Sequence, residues 1–489
     1  MRKLIYSIVV LLMVASCDLD QLPSDGIVSE SLSSNYEGLL AATNGNYGMM
    51  KDLVEYDNKL YTANYWIRHH HQLSEYSSDN VMLSGSTTDP LFYAFTRNHF
   101  ASMENTSYLW FISYRIINGA NQIIAALGSP EDDDSRQLLG ENYFLRAYMH
   151  LELLKLFAQP YSAGRENDGV ILKIDVESSP TQARATVGEC YDQIEKDLLL
   201  AEELMGSGRG KAFASKGAAQ ALLCRVYLHM EQWQDAIDYA DLVIESGRYS
   251  LATTSNYINS FYNVPSSSEA IWYVAQTLQD DKTLAAIGSM YLTDRGLGWG
   301  EIYPSETLRE LLAEYPNDVR NDFIKPDYDT DGVTVKLRNG YPKYFITKFS
   351  YQDDVVTLNS PQMLRLGEVY LNRAEASAHL NDVTAALADV NEIRQRAGLS
   401  GVELYSAADF KGLSSIVDVV LQERRIELAW EGFRTLDLVR NEKDIDRSFP
   451  GVHLEAGENS QVISWNDPRN IYFIPLNEMT NNELVDQNP

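Results

Sequence analysis

Ala218-Ala219-Gln220-Ala221-Leu222-Leu223-Cys224-Arg225-Val226-Tyr227-Leu228 leads to Trp233 and then to Ala236, Ala240, Val243 and Ile244 before the chain reaches Gly247. Apolar and small residues recur there at three- and four-residue steps, the period of an amphipathic helix. Small alanines on the inner face of the second segment let two helices approach closely; a large residue would hold them apart. The pattern predicts a helix pair from about Ala214 to Gly247. A second pair is predicted from Leu364 to Gly398, with Tyr370, Ala374 and Ala378 in its first helix and Ala385, Ala388, Val390 and Ile393 in its second.

Each pair spans about 34 residues, the tetratricopeptide period. The two are far apart in sequence, so they are expected as repeats embedded in a larger helical body, not as a long solenoid. Leu109, Ile112, Ile116, Ile123 and Leu127 predict another helix. The cluster Glu131-Asp132-Asp133-Asp134-Ser135 precedes a further one, about Arg136 to Phe157, where acids suit the helix dipole and cap free N–H groups. The fold class is therefore all-α dominated, with minor short strands at residues 270–274 and 344–346. Two long stretches, residues 56–98 and 256–351, are irregular and rich in Tyr, Asn, Ser and Trp. Long loops on a rigid frame are where function usually sits.

Composition is that of a globular protein, with 45% hydrophobic and 22% charged residues. The chain carries 40 Lys+Arg against 69 Asp+Glu, a formal charge of −29. That excludes nucleic acid as a partner and docking on anionic headgroups, both of which need a basic surface. Tyrosine outnumbers phenylalanine 30 to 15, which suits wet recognition surfaces as well as cores.

Residues 1–16 read as a signal peptide. Arg2 and Lys3 precede an apolar run, Leu4 to Val14, too short to span a bilayer. Val14-Ala15-Ser16-Cys17 has the form of a lipobox, which makes Cys17 the expected lipidation site and acyl chains the expected membrane attachment. Residues 17–24 then form a tether. Cys190 and Cys224 remain, in helical stretches; a bridge between them is left open by the sequence.

Glu423, Glu427 and Glu431 stand four apart on one helix face, with Arg424, Arg425 and Arg434 close enough to pair with them. Leu421, Ile426, Leu428 and Trp430 on the same segment require that some of these charges be buried, which buried ion pairs tolerate only with specific geometry. Glutamates on one helical turn do not flank a sugar ring, so a glycosidase acid–base pair is not expected here.

Several segments together resemble the SusD/RagB family of surface lipoproteins that work with SusC-type TonB-dependent transporters. They are Gly140-Glu141-Asn142-Tyr143-Phe144-Leu145-Arg146-Ala147-Tyr148, Ala218 through Leu228 closing with Ser246-Gly247-Arg248-Tyr249, and Glu423-Arg424-Arg425-Ile426-Glu427-Leu428 through Glu431-Gly432-Phe433-Arg434 to Asp437-Leu438-Val439-Arg440. Ile474-Pro475 and the closing Gln487-Asn488-Pro489 fit the same habit. The resemblance implies a SusD-like domain over residues 25–489, an N-terminal part to about 250 and a C-terminal part from 251, with four tetratricopeptide-type units. It further implies an outer-membrane, cell-surface protein that binds an oligosaccharide or polysaccharide and delivers it to a SusC-like transporter as its lid. A peptide-capturing lid of a RagA-like transporter and a scaffold lipoprotein that binds only proteins are the alternatives.

Trp110, Trp233, Trp272 and Trp430 lie in regular patterns and are expected in the core, whereas Trp66, Trp299 and Trp465 fall in irregular segments. The family builds its glycan platform from loops in two comparable regions. Trp66 and Trp299 are therefore the expected platform rings, with Tyr65, Tyr291 and Tyr303 beside them and Arg68 and Asn80 as polar partners. No catalytic motif is present, and no enzyme activity, metal or cofactor is expected. His69-His70-His71 points three ways. Asp327-Tyr328-Asp329-Thr330-Asp331-Gly332 alternates like a calcium loop, but Arg338 stands where the closing glutamate belongs. Gly206-Ser207-Gly208-Arg209-Gly210-Lys211 lacks the hydroxyl residue of a phosphate loop and reads as a turn before a helix.

Overall fold

The computed structural model describes residues 35–489. The signal peptide, Cys17 and the tether lie outside the described residues. Both predicted helix pairs are present. α6 (Lys216–His229) and α7 (Trp233–Glu245) form the first, and α8 (Leu366–His379) and α9 (Val383–Arg396) the second. They follow α1 (Tyr36–Gly48), α2 (Trp66–Glu75), α3 (Glu104–Leu127), α4 (Asp133–Phe157) and α5 (Val187–Leu204), and α10 (Ile416–Glu427) comes after them. The Asp132 side chain caps α4, accepting from the Ser135 N–H at 2.8 Å.

From α3 to α10 each long helix packs on the next, and α7 packs directly on α8 although more than a hundred residues separate them in sequence. The two repeats are thus neighbours in space, and residues 256–351 are an excursion from a continuous stack. Ala236, Ala240, Ala374 and Ala378 are buried at the contacts, as close helix approach requires. In α9 the buried stripe is Ala386, Leu387, Val390 and Ile393, not Ala385 and Ala388; Ala388 is exposed. Asp382 caps that helix through the Ala385 N–H at 3.0 Å.

Short antiparallel strand pairs fasten the excursion. Ala270–Tyr273 pairs with Gln362–Arg365, Ile324–Pro326 with Tyr344–Ile346, and Val81–Leu83 with Ile302–Pro304. The last joins the two irregular regions to each other. Cys190 and Cys224 are both buried and unbridged, so no disulfide links the helices that carry them.

The acids of the Glu423–Arg440 stretch are buried as expected, but their partners differ. α10 ends at Glu427, and Trp430 adopts φ +65° and Gly432 φ +82°, so Glu431 sits on a turn and not on the helix. A Cβ at residue 432 would lie 2.8 Å from the Ser74 Cβ, so glycine is needed where the turn meets α2. Neighbours in sequence point different ways around a helix. Arg424 accordingly reaches Asp437 at 2.8 Å, and Arg425 and Arg434 reach Asp79. The glutamates take distant cations instead. Arg320 binds Glu423 at 2.6 Å and Asp318 at 2.6 Å; Arg394 binds Glu423 at 2.9 Å. Arg365 binds Glu427 at 2.6 Å and chelates Glu431 through two nitrogens; Lys348 adds a bond to Glu431 at 2.7 Å. Burial raises the Glu427 carboxyl, and the Arg396, Arg365 and Arg320 guanidiniums overcome it and hold it well below its ordinary range.

Removing one member of such a cluster leaves uncompensated charge in the interior. Glu427→Gln is expected to lower unfolding free energy by about 3–5 kcal/mol, read from urea titration. Glu75, at the end of α2, behaves oppositely: burial pushes its carboxyl up from 4.5 to about 8, and it accepts from the Gly432 N–H at 2.8 Å. Its contribution is intact below pH 4.5 and is lost as pH rises through 8. Midpoints of urea unfolding measured from pH 5 to pH 9 should therefore fall less steeply in Glu75→Gln than in the parent.

Candidate functional site

Where the two irregular regions meet, a cleft of about 760 Å³ opens to solvent. One wall is the start of α2. Tyr65 is its N-cap in an extended conformation, and Arg68 lies one turn further on. Arg68 is held in place by Asp89 at 2.5 Å and by donation to the Ala63 carbonyl at 3.1 Å. The opposite wall is the 281–301 segment, which carries Lys282, Leu284, Met290, Trp299 and Glu301 into the cleft.

Trp299 is 50% exposed, an unusual position for so large a ring. Its backbone is not loose. Gly298 has φ +87° and a Cβ there would lie 2.0 Å from the Leu292 carbonyl oxygen; Gly300 has φ +54° with the Phe345 ring 2.7 Å from its would-be Cβ. The glycines let the chain press against the protein on both sides, and the tryptophan between them is turned outward. Its N–H donates to the Ser289 carbonyl at 2.7 Å, its indole Nε1 donates to the Leu284 carbonyl at 3.2 Å, and the Trp299 carbonyl accepts from Arg338 at 3.2 Å. Arg338 is anchored in turn by Glu301 at 2.6 Å. The ring is thus presented rigidly, with one polar edge satisfied and a face left for contact.

Lys282 places its ammonium 4.7 Å from the Tyr65 ring centre, a cation–π contact. Among the described residues it has no carboxylate partner, so this charge remains available to a ligand. The carboxylates of the cleft are committed: Asp89 to Arg68, Glu301 to Arg338, and Asp281 to the Thr357 hydroxyl and the Thr283 N–H. The arrangement offers a flat apolar ring, a cation and several hydroxyl groups: a surface for holding a polar ligand with flat C–H faces.

Two family models match the chain. Residues 326–489 match one described as the SusD family, and residues 41–228 match one described as starch-binding associating with outer membrane. SusD-like protein P2 of Formosa agariphila is 26% identical over 486 residues, covering 90% of each chain. A SusD superfamily protein from Bacteroides thetaiotaomicron superposes with a TM-score of 0.80 at 26% identity, over 93% of this chain and 99% of that one. This chain belongs to the SusD-like family. A laminarin-binding SusD-like protein shares the fold, with a TM-score of 0.68 at 22% identity over 93% and 99% of the two chains.

In this SusD-like protein, three residues singled out in the sequence converge on the cleft: Trp299, Tyr65 and Arg68. Four are buried and do not line it. Trp66 opens a helix in what reads as an irregular stretch, and the one-residue step from Tyr65 turns its ring inward. It is fully buried, stacks on His70 at 4.7 Å and donates to the Ser113 hydroxyl at 2.8 Å. Tyr291 is buried with its hydroxyl 2.7 Å from the His71 Nε2. Tyr303 is a buried strand residue opposite Met82. Asn80 is buried and accepts from Arg425 at 3.0 Å. None of these four presents a face to solvent, so none forms part of an exposed platform. Lys282 was not singled out; the aromatic Tyr65 it covers lies far away in sequence, and only folding joins them.

The three histidines take separate partners: Asn64, Glu152 and Tyr291. Asp327 is bound by Lys336 and Lys343, and Asp331 accepts from the Val333 and Thr334 N–H groups of its own turn. Gly206–Lys211 precedes α6, with Arg209 paired to Glu141 at 2.6 Å.

Trp66 and Trp299 therefore separate two roles that their sequence contexts make look alike. Trp66→Ala removes a fully buried ring and is expected to cost about 3–5 kcal/mol of stability, whereas Trp299→Ala should shift the urea midpoint by less than about 0.5 kcal/mol equivalent.

Proposed function

We propose that this chain is a non-enzymatic, lipid-anchored glycan-binding protein of the outer-membrane surface that captures oligosaccharide in the Trp299 cleft and passes it to a SusC-like TonB-dependent transporter. The observation that carries this reading is the rigid, half-exposed Trp299 ring, set with the unpaired Lys282 on one wall of the cleft and facing Tyr65 and Arg68 on the other. Pyranose rings carry flat C–H faces that lie on an indole, while hydroxyls bond to cations and hydroxyl side chains. The family descriptions and the laminarin-binding relative support a saccharide over other polar ligands.

Committed carboxylates support binding without chemistry. A glycosidase needs one carboxyl held protonated and a second left free to act on the other side of the bond. Here Asp89 and Glu301 are each tied to an arginine. The lipobox at Cys17 supports anchoring by acyl chains, and no helix of the described residues is long and apolar enough to cross a membrane.

Shallow contact with one principal ring implies weak capture, roughly micromolar to millimolar. Weak capture suits handover, since a tightly held sugar is not released inward. The test is calorimetric titration with laminarihexaose, maltoheptaose and a set of neutral oligosaccharides, with extended peptides alongside. Binding of at least one neutral glycan, weakened at least tenfold in Trp299→Ala, is the expected result. Binding of peptides alone would replace this reading with peptide capture, and binding of neither would leave a protein scaffold.

A further inference from the structure

A second cavity, of about 750 Å³, shares no lining residue with the Trp299 cleft. Its volume falls in the range of small-ligand sites. Its long wall is one stripe of α3, where Phe111, Tyr114, Arg115 and Asn118 recur at helical spacing. Tyr56 closes one end, with its ring 5.1 Å from Phe111 and its hydroxyl held by the Asn477 amide at 2.8 Å. Tyr114 is locked by donation to the Ile171 carbonyl at 2.8 Å. Tyr56, Phe111 and Tyr114 are all only partly buried, so a ligand in the cavity meets fixed aromatic surface.

The charge in this cavity is what selects a ligand. Arg115 is half-buried, and among the described residues its guanidinium has neither a hydrogen bond nor an ion pair. That is notable in a chain with 69 acids to 40 basic residues. The acids nearby do not answer it. Glu478 accepts from the Trp110 indole at 3.2 Å and from Asn482 at 3.0 Å, and Asp175 accepts from Ser178 at 3.0 Å. Asp57 stands exposed at the rim. Lys173 adds a second cation, bound to the carbonyls of Ser179 and Pro180 and not to an acid. A half-buried guanidinium held without a counter-ion favours an anionic group on whatever enters, and Arg binds planar carboxylates best.

We propose that this cavity is a binding site for an acidic saccharide, one bearing a uronic carboxylate. The sugar's C–H faces lie on Tyr56, Phe111 and Tyr114, its carboxylate pairs with Arg115, and Asn118 bonds its hydroxyls. The site does not rest on glycan binding at Trp299, and the two are separable by experiment.

The test is titration of the secreted Cys17→Ser chain with tetragalacturonate, an alginate tetrasaccharide and a hyaluronan tetrasaccharide, with laminarihexaose and maltoheptaose as neutral controls. Arg115→Gln removes the cation, and Asn118→Asp, at an exposed helical position, puts a carboxylate at the mouth; either serves if the other fails to fold. At least one acidic tetrasaccharide is expected to bind, at least tenfold more weakly in both variants, unchanged within twofold in Trp299→Ala, and more weakly as salt is raised. The proposal is overturned if none of the three acidic probes binds, if both folded variants bind them like the parent, or if Trp299→Ala abolishes the binding, which would place the acidic sugar in the other cleft.

Discussion

Everything in this molecule hangs on a set of carboxylates buried near the end of α10. Glu423, Glu427 and Glu431 have no exposure that would let water solvate them well, and a buried ion is costly unless a counter-charge meets it at close range. The counter-charges come from three separate places: Arg320 and Lys348 from the 256–351 excursion, Arg365 from a strand, and Arg394 and Arg396 from α9. A hydrophobic contact tolerates sliding. Bidentate guanidinium–carboxylate pairs do not, because their geometry is directional. The cluster therefore does more than hold the excursion to the helical stack. It sets where the excursion sits.

That placement is what makes a cleft. The same excursion carries Trp299 and Lys282, and the facing wall, α2, is fixed by Glu75 meeting the turn at Gly432 and by Arg425 and Arg434 meeting Asp79. Burial pushes the Asp79 carboxyl up, and these two guanidiniums overcome it and hold it at about 2. Both walls are thus referred to one short stretch, Glu423–Arg440. Walls fixed this way have little conformational entropy left to lose on forming a contact, which matters where the contact area is small.

The helical pairs were legible because their signal is periodic and local: Ala236 and Ala240, or Ala374 and Ala378, announce a close helix contact whatever the partner. The stack's continuity was not, because α7 meets α8 across an excursion that sequence spacing cannot fold away. At the cleft, Trp299 was legible from its irregular, polar surroundings. Trp66 is hard to read because the ten-residue helix it opens is buried on every side, histidines and polar groups included, so its composition is that of an exposed irregular segment. Tyr65 and Trp66 are adjacent and both buried, yet only the Tyr65 ring lines the cleft, while Trp66 is enclosed by the core. Arg115 and Asn118 gave no signal at all, since a polar stripe on a long helix is what solvent exposure also produces.

Helical periodicity, the acidic balance and the paired-charge pattern of residues 423–440 follow from residue order, since each can be read off the chain without its partners in space. Which cation meets which glutamate, which aromatic ring faces water, and where two loops separated by some two hundred residues meet to form a cleft were settled only by packing. Those outcomes depend on charges and surfaces that share no local sequence, and the cost of burying an unpaired ion leaves the folded chain few ways to arrange them.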